Sequence, residues 1–329
     1  MSNQFVKNEG QRKFHGLPKV SIVVPCFNEE SVIHVTHQRL KKLIDEDKNH
    51  EYEIIYVDDG SLDDTFELLQ VICLQSEHAV KVLRLSRNFG HQLALSAGVS
   101  KAEGHAVVII DADLQDPPEY IPEMLNLWRH GADVVYGVRI VRSGESRFKL
   151  ETAKLFYRLI NLLSDTRIPI DTGDFRLVDQ RVIQALGQMP EKDRFIRGMI
   201  AWIGFKQVPL YYNRDARLAG ITKYPMRKML SFALDGILSF STRPLRIASV
   251  LGFVISFFSV FGILYGLYAR LFTSYWVPGW TLLFIIILLI GGIQLIVMGI
   301  VGEYIGRIYG EVKSRPLFFI SDEITKADL

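Results

Sequence analysis

Apolar and polar residues alternate along the first 140 positions in blocks that predict strands and helices. Short apolar runs rich in β-branched residues are each followed by a polar loop and then by residues with helical periodicity. The predicted strands cover residues 19–25, 53–57, 80–85, 107–110 and 133–137, and the helices between them lie within 28–45, 64–76, 92–102 and 119–129. This alternation favours an α/β fold with a mostly parallel sheet covered by helices on both faces.

The last third of the chain has a different pattern. Residues 247–269 and 271–302 contain no charged side chain, and each stretch exceeds the roughly 20 apolar residues that cross a bilayer core, so we expect two membrane spans. Before them, apolar residues recur every three or four positions between Pro225 and Thr242, which favours an amphipathic helix at the membrane surface. Basic residues flank the pair of spans on its outer sides, which predicts that both termini are cytoplasmic.

Charge and cysteine content narrow the function classes. The formal net charge is +2, which gives no support for nucleic acid as a partner. Cys26 and Cys73 are the two cysteines, too few for a disulfide framework and not spaced for a metal site, so we expect both thiols to pack in the core. His91 has no partner nearby in the sequence and is predicted to be structural.

Carboxylates and amides follow the predicted strands. The fourth strand runs into residues 111–118, Asp-Ala-Asp-Leu-Gln-Asp-Pro-Pro, and the first two strands run into Asn28-Glu29 and Asp58-Asp59. Open α/β sheets bind ligands beyond the carboxyl ends of their strands. Hard oxygen ligands suit Mg²⁺ or Mn²⁺, to which substrate phosphates supply further oxygens. A polar turn is the alternative for an isolated Asp-x-Asp, but acidic residues at several strand ends favour a divalent cation with a diphosphate substrate.

Six segments of the sequence carry a resemblance to a known family: 23–29, 57–61, 87–90, 111–118, 171–176 and 217–224. In this order they resemble the inverting family-2 glycosyltransferases with the GT-A fold, in the branch of dolichol-phosphate mannose synthase and undecaprenyl-phosphate glucosyltransferase. The resemblance extends over essentially the whole chain. At Ile221-Thr222-Lys223 the chain departs from the family, which more often has a small or acidic residue and then Ser-Lys, but the lysine is kept.

The resemblance implies roles for individual residues of the donor site. Four residues would line the nucleoside pocket: Pro25, Phe27, Glu29 and Asp58. Asp111 and Asp113 would hold a metal–diphosphate group, with Gln115 as a further ligand, and the metal would be Mg²⁺ or Mn²⁺.

The resemblance also implies residues on the acceptor side. Arg139, Arg147 and Lys149 would bind the lipid phosphate and the leaving diphosphate. Asp174 would face the acceptor, either as a base or as an orienting group, since a phosphate acceptor is already ionised at neutral pH. Arg217 and Lys223 would close over the diphosphate.

The implied function is transfer of a sugar from a nucleotide sugar to a polyprenyl phosphate at the cytosolic face of the inner membrane. Undecaprenyl phosphate and UDP-glucose are the preferred substrates, and aminoarabinose-type, N-acetylglucosamine and mannose donors are alternatives. A processive polysaccharide synthase is disfavoured because the chain lacks a Gln-x-x-Arg-Trp segment. A non-catalytic two-span scaffold is the alternative from another class.

These inferences give a predicted organisation of five parts. They are a disordered leader (1–16), a cytosolic GT-A catalytic domain (17–224), an interfacial helix (225–243), a two-helix transmembrane domain (244–302) and a cytosolic tail (303–329). Glycines in the second span, among them Gly291 and Gly299, suit close helix contacts, which leaves a homo-oligomer open.

Overall fold

The structure, a computed structural model, describes residues 12–140, 172–213, 243–272 and 280–326. These residues belong to two compact units. The first contains the strands and short helices, and the second contains the two long helices near the C-terminus. The predicted interfacial helix, residues 225–242, lies outside the described residues.

The first half of the chain alternates strands and helices. Its elements are β1 (Lys19–Cys26), α1 (Ile33–Glu46), β2 (Glu51–Asp58), α2 (Thr65–Gln75), β3 (Ala79–Leu85), α3 (His91–Ser100), β4 (Ala106–Ile109), a 3₁₀ turn (Pro118–Tyr120), α4 (Ile121–Arg129) and β5 (Val134–Arg139). The later elements are β6 (Thr172–Asp179), α5 (Gln180–Gly187), α6 (Ile196–Ile203), β7 (Gln207–Tyr212), α7 (Arg243–Phe272), α8 (Trp280–Val312) and β8 (Ile320–Thr325). The predicted α/β class is confirmed.

The eight strands form one mixed sheet in the order β7-β5-β6-β4-β1-β2-β3-β8. Parallel pairs join β1 to β2 and β4, β2 to β3, and β5 to β7. However, β6 runs antiparallel to both β4 and β5, and β8 runs antiparallel to β3. The sheet is mixed, but six of the eight described strands run in the same direction, in keeping with the prediction of a mostly parallel sheet. The two strands that run the other way are β6 and β8.

The central strands are apolar on both faces because helices or loops cover both. Ile22 and Ile54 are fully buried on one face of β1 and β2, and the next residues, Val23 and Ile55, are fully buried on the other face. Continuous burial of this kind produces the uninterrupted apolar runs seen in the sequence. It also fixes the register of β1, β2 and β4, so that the polar residues that follow them emerge at one edge of the sheet.

The chain is already packed against the domain at Arg12. The Arg12 guanidinium lies 2.6 Å from an Asp133 carboxylate oxygen and pairs with Asp179, while Phe14 stacks on Trp128 with ring centroids 5.1 Å apart. The predicted disordered leader therefore does not extend to residue 16, because its last residues bind acidic and aromatic groups on the domain.

The two long helices differ from the predicted spans at their ends. Leu271 and Phe272 complete α7, so the second helix does not begin at residue 271, and α8 continues past residue 302 to Val312. Within the described residues, Leu289–Val312 is the one stretch that is long and apolar enough to cross a membrane.

The residues after the last helix are not a free tail. Ile320–Thr325 form β8, which pairs with β3 at the edge of the sheet, and Lys101 and Glu323 form an ion pair of 2.6 Å beside it. The described part of the predicted cytosolic tail, residues 303–326, thus consists of the end of α8, a short connection and the strand β8.

Candidate active site

The parallel strands β1, β2 and β4 deliver acidic residues to one edge of the sheet. Cys26 at the end of β1 lies opposite Asp58 at the end of β2, and the backbone N–H of Asp59 donates to the carbonyl of Cys26 over 2.9 Å. β4 ends at Ile109, so Asp111 follows two residues beyond it. Three separate chain segments therefore end side by side at one edge of the sheet, where open α/β sheets bind ligands in a crevice.

Asp58 is a buried carboxylate with one oxygen that accepts no hydrogen bond among the described residues. One oxygen accepts from the backbone N–H of Ser61 over 3.1 Å, and the other lies 3.5 Å from Arg84 with no hydrogen-bond partner among the described residues. Burial raises the pKa of Asp58, although Ser61 and Arg84 oppose this effect. This oxygen is thus buried beside the Arg84 cation without accepting a hydrogen bond, an arrangement that is costly unless a further donor is present.

The loop after β1 is tied to the loop after β2. The backbone N–H groups of Asn28 and Glu29 donate to the hydroxyls of Ser61 (3.0 Å) and Thr65 (2.8 Å). Asn28 has a φ of 54°, and its side-chain oxygen accepts from the Leu62 N–H over 2.9 Å. Asn28 is thus a bridge between loops, and α1 begins five residues later, at Ile33. This bridging fixes the loop between Pro25 and Glu29, where a nucleoside pocket is predicted.

Asp59 holds the loop that precedes α3. Its two carboxylate oxygens accept from the backbone N–H groups of Phe89 (2.8 Å) and Gly90 (2.9 Å). Gly60 has a φ of 67°, and a Cβ there would lie 2.6 Å from the carbonyl carbon of Arg87, so this close approach of two loops requires glycine. The result is that His91, the first residue of α3, is presented at the crevice.

His91 lies between two carboxylates of the site. Its Nε2 is 3.1 Å from Asp174 on β6 and 3.6 Å from Asp111 after β4. Arg197 of α6 in turn donates hydrogen bonds to the two carboxylate oxygens of Asp174 over 2.7 and 3.0 Å. The sequence-based interpretation of His91 as a structural residue without a partner was wrong, because Asp111 and Asp174 lie beside it in the fold. Arg197 was not identified from the sequence, since it is distant in the chain from Asp174.

This cluster shifts the pKa values of its members in opposite directions. Burial lowers the pKa of His91, but the hydrogen bond to Asp174 and the charge of Asp111 outweigh it and raise that pKa to about 9. Burial opposes ionisation of Asp174, yet Arg197 and His91 hold its pKa well below the usual range. Desolvation, with repulsion from Asp174, raises the pKa of Asp111 to about 6 despite His91. Both His91 and Asp111 keep about a third of their side-chain surface open, 33% and 31%.

The predicted metal ligands lie in a turn after β4. Leu114 has a φ of 55°, and the backbone N–H of Gln115 donates to Asp113 over 3.1 Å. Oδ1 of Asp111 is buried and has no hydrogen-bond partner among the described residues. The same part of the chain contains no group of three or more His, Cys, Asp or Glu residues that could hold a metal by themselves. This arrangement fits a cation that protein carboxylates and substrate phosphates hold together.

Asp116 and Arg139 pair with each other at the end of β5. Arg139 Nη2 is 3.3 Å from both oxygens of Asp116, and its Nε donates to the Tyr212 hydroxyl over 3.2 Å. A Cβ on Gly173 would lie 2.6 Å from the Arg139 guanidinium, so the glycine makes room for this cation. Arg139, predicted to bind phosphate, is therefore fixed by Asp116 and Tyr212 at the same edge of the sheet.

Four residues predicted to bind phosphates, Arg147, Lys149, Arg217 and Lys223, lie outside the described residues. The described part brings together Asp58, Asp111 and Asp174 at the predicted edge.

Comparison with known proteins identifies the family. The model of glycosyl transferase family 2 matches residues 21–187. The chain is 50% identical over 300 residues to the uncharacterized glycosyltransferase YkcC of Bacillus subtilis, covering 91% of this chain and 92% of that protein. The chain belongs to glycosyl transferase family 2. The matched residues include most of β1, all of β2 to β6 and the acidic turn after β4.

Two further relatives have names that state an activity. The prophage-derived bactoprenol glucosyl transferase of Shigella flexneri is 41% identical, with 92% of this chain and 97% of that protein covered. The prophage bactoprenol glucosyl transferase homolog of Escherichia coli is 42% identical over 92% of this chain and 98% of its own length. Among solved structures, glucosyl-3-phosphoglycerate synthase of Mycobacterium tuberculosis, crystallised with Mn²⁺ and UDP-glucose, is 21% identical over 67% of this chain and 78% of its own, with a TM-score of 0.44.

Proposed function

We propose that this chain transfers glucose from UDP-glucose to undecaprenyl phosphate, with inversion at the anomeric carbon. The observation that carries the proposal is identity of 41–42% over 92% of the chain to proteins named for bactoprenol glucosyl transfer, bactoprenol being undecaprenol. The crevice adds independent support, because its carboxylates and buried acceptors suit a nucleoside diphosphate with a cation.

The chemical step is a single displacement. An oxygen of the lipid phosphate forms a bond to the anomeric carbon, while the bond from that carbon to the diphosphate oxygen breaks and its electron pair leaves with UDP. A phosphate oxygen is ionised at neutral pH, so no proton has to be removed from the nucleophile. The protein accordingly needs to hold two anionic substrates in line rather than to generate a nucleophile.

Asp111 and Asp113, with Gln115, would hold a divalent Mg²⁺ or Mn²⁺ between the protein and the donor diphosphate. Such a cation stabilises negative charge on the leaving group. Two features support a cation at this position: Oδ1 of Asp111 lies 3.6 Å from His91 but accepts no hydrogen bond among the described residues, and the Asp174 carboxylate is nearby. Asp58 would accept from the base or the ribose, within a nucleoside pocket that the loop from Pro25 to Glu29 completes.

The phosphate-binding residues are carried into the proposal from the sequence. Arg147 and Lys149 would bind the lipid phosphate, and Arg217 and Lys223 would contact the donor diphosphate. Arg139 would act on the same phosphates from its place beside Asp116, where it already supplies positive charge at the end of β5.

We also infer that the chain crosses the inner membrane twice, with the catalytic domain and both termini in the cytoplasm. The strands β7 and β8 precede and follow the two long helices, and both belong to one sheet. A chain that leaves and rejoins the same domain crosses a membrane an even number of times. This supports two crossings rather than one, and the basic residues outside the helices support the orientation.

Cysteine labelling in sealed vesicles tests this topology. Both native thiols are buried, so they give little background. A membrane-impermeant maleimide should label Glu77→Cys, which is exposed on the catalytic domain, from the cytoplasmic side only, and Ser274→Cys, between the helices, from the opposite side only. Labelling of both variants from one side would contradict two crossings.

Glycolipid formation by the purified full-length chain tests the enzymatic proposal. UDP-glucose, undecaprenyl phosphate and Mg²⁺ or Mn²⁺ should yield a glucosyl lipid phosphate and UDP in equal amounts. If a lipid product formed with another nucleotide sugar and not with UDP-glucose, the donor assignment would be wrong. If none of the donors gave a lipid product, the proposal itself would be overturned.

A further inference from the structure

Both carboxylate oxygens of Asp174 already have partners within the protein. Arg197 Nε donates to Oδ1 over 2.7 Å, Arg197 Nη2 donates to Oδ2 over 3.0 Å, and the His91 Nε2 is 3.1 Å from Oδ2. The Asp174 side chain is only 7% exposed. A general base must reach the proton that it removes with an available lone pair. The surroundings of Asp174 therefore fit a fixed hydrogen-bond acceptor and not a base.

A second feature fixes Arg197 itself. Arg197 is the second residue of α6 and His91 is the first residue of α3, and the two helix starts are joined because the backbone N–H of Ile196 donates to the Gln92 side-chain oxygen over 3.0 Å. A guanidinium that binds both oxygens of a carboxylate sets its orientation as well as its position. The position of Asp174 is thus determined by the helix start that carries Arg197.

What Asp174 holds in place is His91. The imidazole stands between Asp174 and Asp111, at 3.1 and 3.6 Å, and so joins the acceptor-side carboxylate to the donor-side carboxylate. A third of the His91 side chain remains open to the crevice. Loss of Asp174 or of its guanidinium partner would therefore displace a side chain that touches the donor side.

We propose that Arg197 is a positioning residue for sugar transfer: it fixes Asp174, and Asp174 fixes His91 beside Asp111 without taking a proton. The proposal rests on the proposed function, in which a lipid phosphate is the nucleophile and has no proton to lose. It assigns a role to Arg197, and it selects orientation over base catalysis for Asp174.

Two reactions of one donor distinguish a base from a positioning residue. Water must lose a proton when it attacks the donor, whereas the lipid phosphate need not. If Asp174 were a base, Asp174→Asn would reduce hydrolysis of UDP-glucose by about 100-fold or more and glycolipid formation much less. If Asp174 is a positioning residue, the two rates should fall by the same factor, because the same misplaced side chains serve both reactions.

Variants of Arg197 test the other half of the proposal. Arg197→Gln should reduce kcat for both reactions by about 100-fold, the scale expected when a reacting group is misplaced by about 1 Å, with a smaller change in KM for the donor. Arg197→Lys should have an intermediate kcat, since lysine keeps the positive charge but lacks the planar guanidinium that donates to both carboxylate oxygens. Arg181→Gln is the matched control, because Arg181 also pairs with aspartates but is 60% exposed and outside the crevice, and it should behave as wild type.

The combined variant and the donor affinity complete the test. Arg197→Gln together with Asp174→Asn should be no worse than the poorer single variant, because residues that act as one unit are not additive. Calorimetry should show that each variant still binds UDP, which excludes a general loss of fold. Wild-type glycolipid formation by Arg197→Gln, or selective loss of hydrolysis in Asp174→Asn, would overturn the positioning proposal alone. Absence of glycolipid from the wild type would instead overturn the proposed function.

Discussion

Ile320, the first residue of the strand after the last helix, lies opposite Leu85, the last residue of β3. The pairing is continued by the N–H of Ser86, which donates to the carbonyl of Phe319 over 2.9 Å. Ser321, which follows Ile320, donates a hydrogen bond from its hydroxyl to the carbonyl of Arg84 over 3.2 Å. Since the Arg84 side chain lies beside Asp58, β8 supports the strand β3 next to the proposed nucleoside pocket.

We expect removal of residues 320–329 to weaken donor binding. The deletion exposes the edge of β3 and removes the hydrogen bonds that fix Arg84, so KM for UDP-glucose should rise and the Tm of the detergent-solubilised protein should fall by several degrees. Removal of residues 327–329 alone leaves β8 intact and should change neither value. An unchanged KM in the longer deletion would show that β8 does not shape the donor site.

Asp113→Asn should abolish transfer while the protein stays folded. The substitution removes one negative charge from the predicted cation site with almost no change in side-chain volume. A chelator should reproduce the effect in the wild type, and calorimetry should show weaker Mg²⁺-dependent binding of UDP. Asp45→Asn, an exposed carboxylate that pairs with His78, is a control that should remain active. Full activity of Asp113→Asn without divalent cations would contradict the metal assignment.

Asp179 should be important for stability rather than for catalysis. Its carboxylate is 3% exposed and accepts from the Trp128 indole (2.8 Å) and the Arg181 backbone N–H (3.0 Å), and it also pairs with Arg12. Asp179→Asn leaves buried donors poorly satisfied and should lower the free energy of unfolding by about 3 kcal/mol, equivalent to a Tm lower by about 6 to 12 °C. Asp45→Asn again serves as the control and should change Tm little.

The pH dependence of the Tm difference between wild type and Asp179→Asn follows from the pKa of Asp179. Burial opposes ionisation, but hydrogen bonds from Trp128 and Arg181 hold the folded-state pKa below the ordinary value. A lowered folded-state pKa contributes stability that is complete above the unfolded-state value, about 4, and is lost as pH falls through the folded-state value. The difference in Tm between wild type and Asp179→Asn should therefore be constant near neutral pH and shrink below about pH 4. A difference that grew on acidification would contradict this account.

The sequence was sufficient to predict the strands that build the donor side. β1, β2 and β4 are apolar because they are buried on both faces, and such runs are visible without a structure. Asp58 and Asp111 follow these runs directly, so their meeting at one edge could be predicted from the α/β alternation.

The partners of these residues could not be predicted in the same way. His91 and Asp174 are joined by a hydrogen bond across 83 positions of the chain, and Arg197 reaches Asp174 from a separate helix. The reversal at β6 that brings Asp174 beside Asp111 also leaves no local signal, because a strand has the same alternation in either direction. The order of the motifs identified Asp174 as a site residue, but the fold was needed to show that Arg197 donates to both of its carboxylate oxygens.

The C-terminal strand illustrates a different reason. Ile320–Thr325 carry Ser321, Asp322 and Glu323 on an exposed edge, so the segment has no apolar run and was expected to be a tail. Its pairing depends on the open edge of β3, which is a property of the folded sheet. Polar residues on such an edge protect it from pairing with other chains.

The configuration of the sugar in the lipid product tests the central claim most directly. UDP-glucose carries glucose in the α configuration, and the purified full-length chain would be given this donor with undecaprenyl phosphate, after which NMR of the isolated glycolipid would assign the anomeric linkage. A single displacement by the lipid phosphate predicts a β-linked glucosyl phosphate as the product. An α-linked product, or release of free glucose with no sugar on the lipid, would contradict the account.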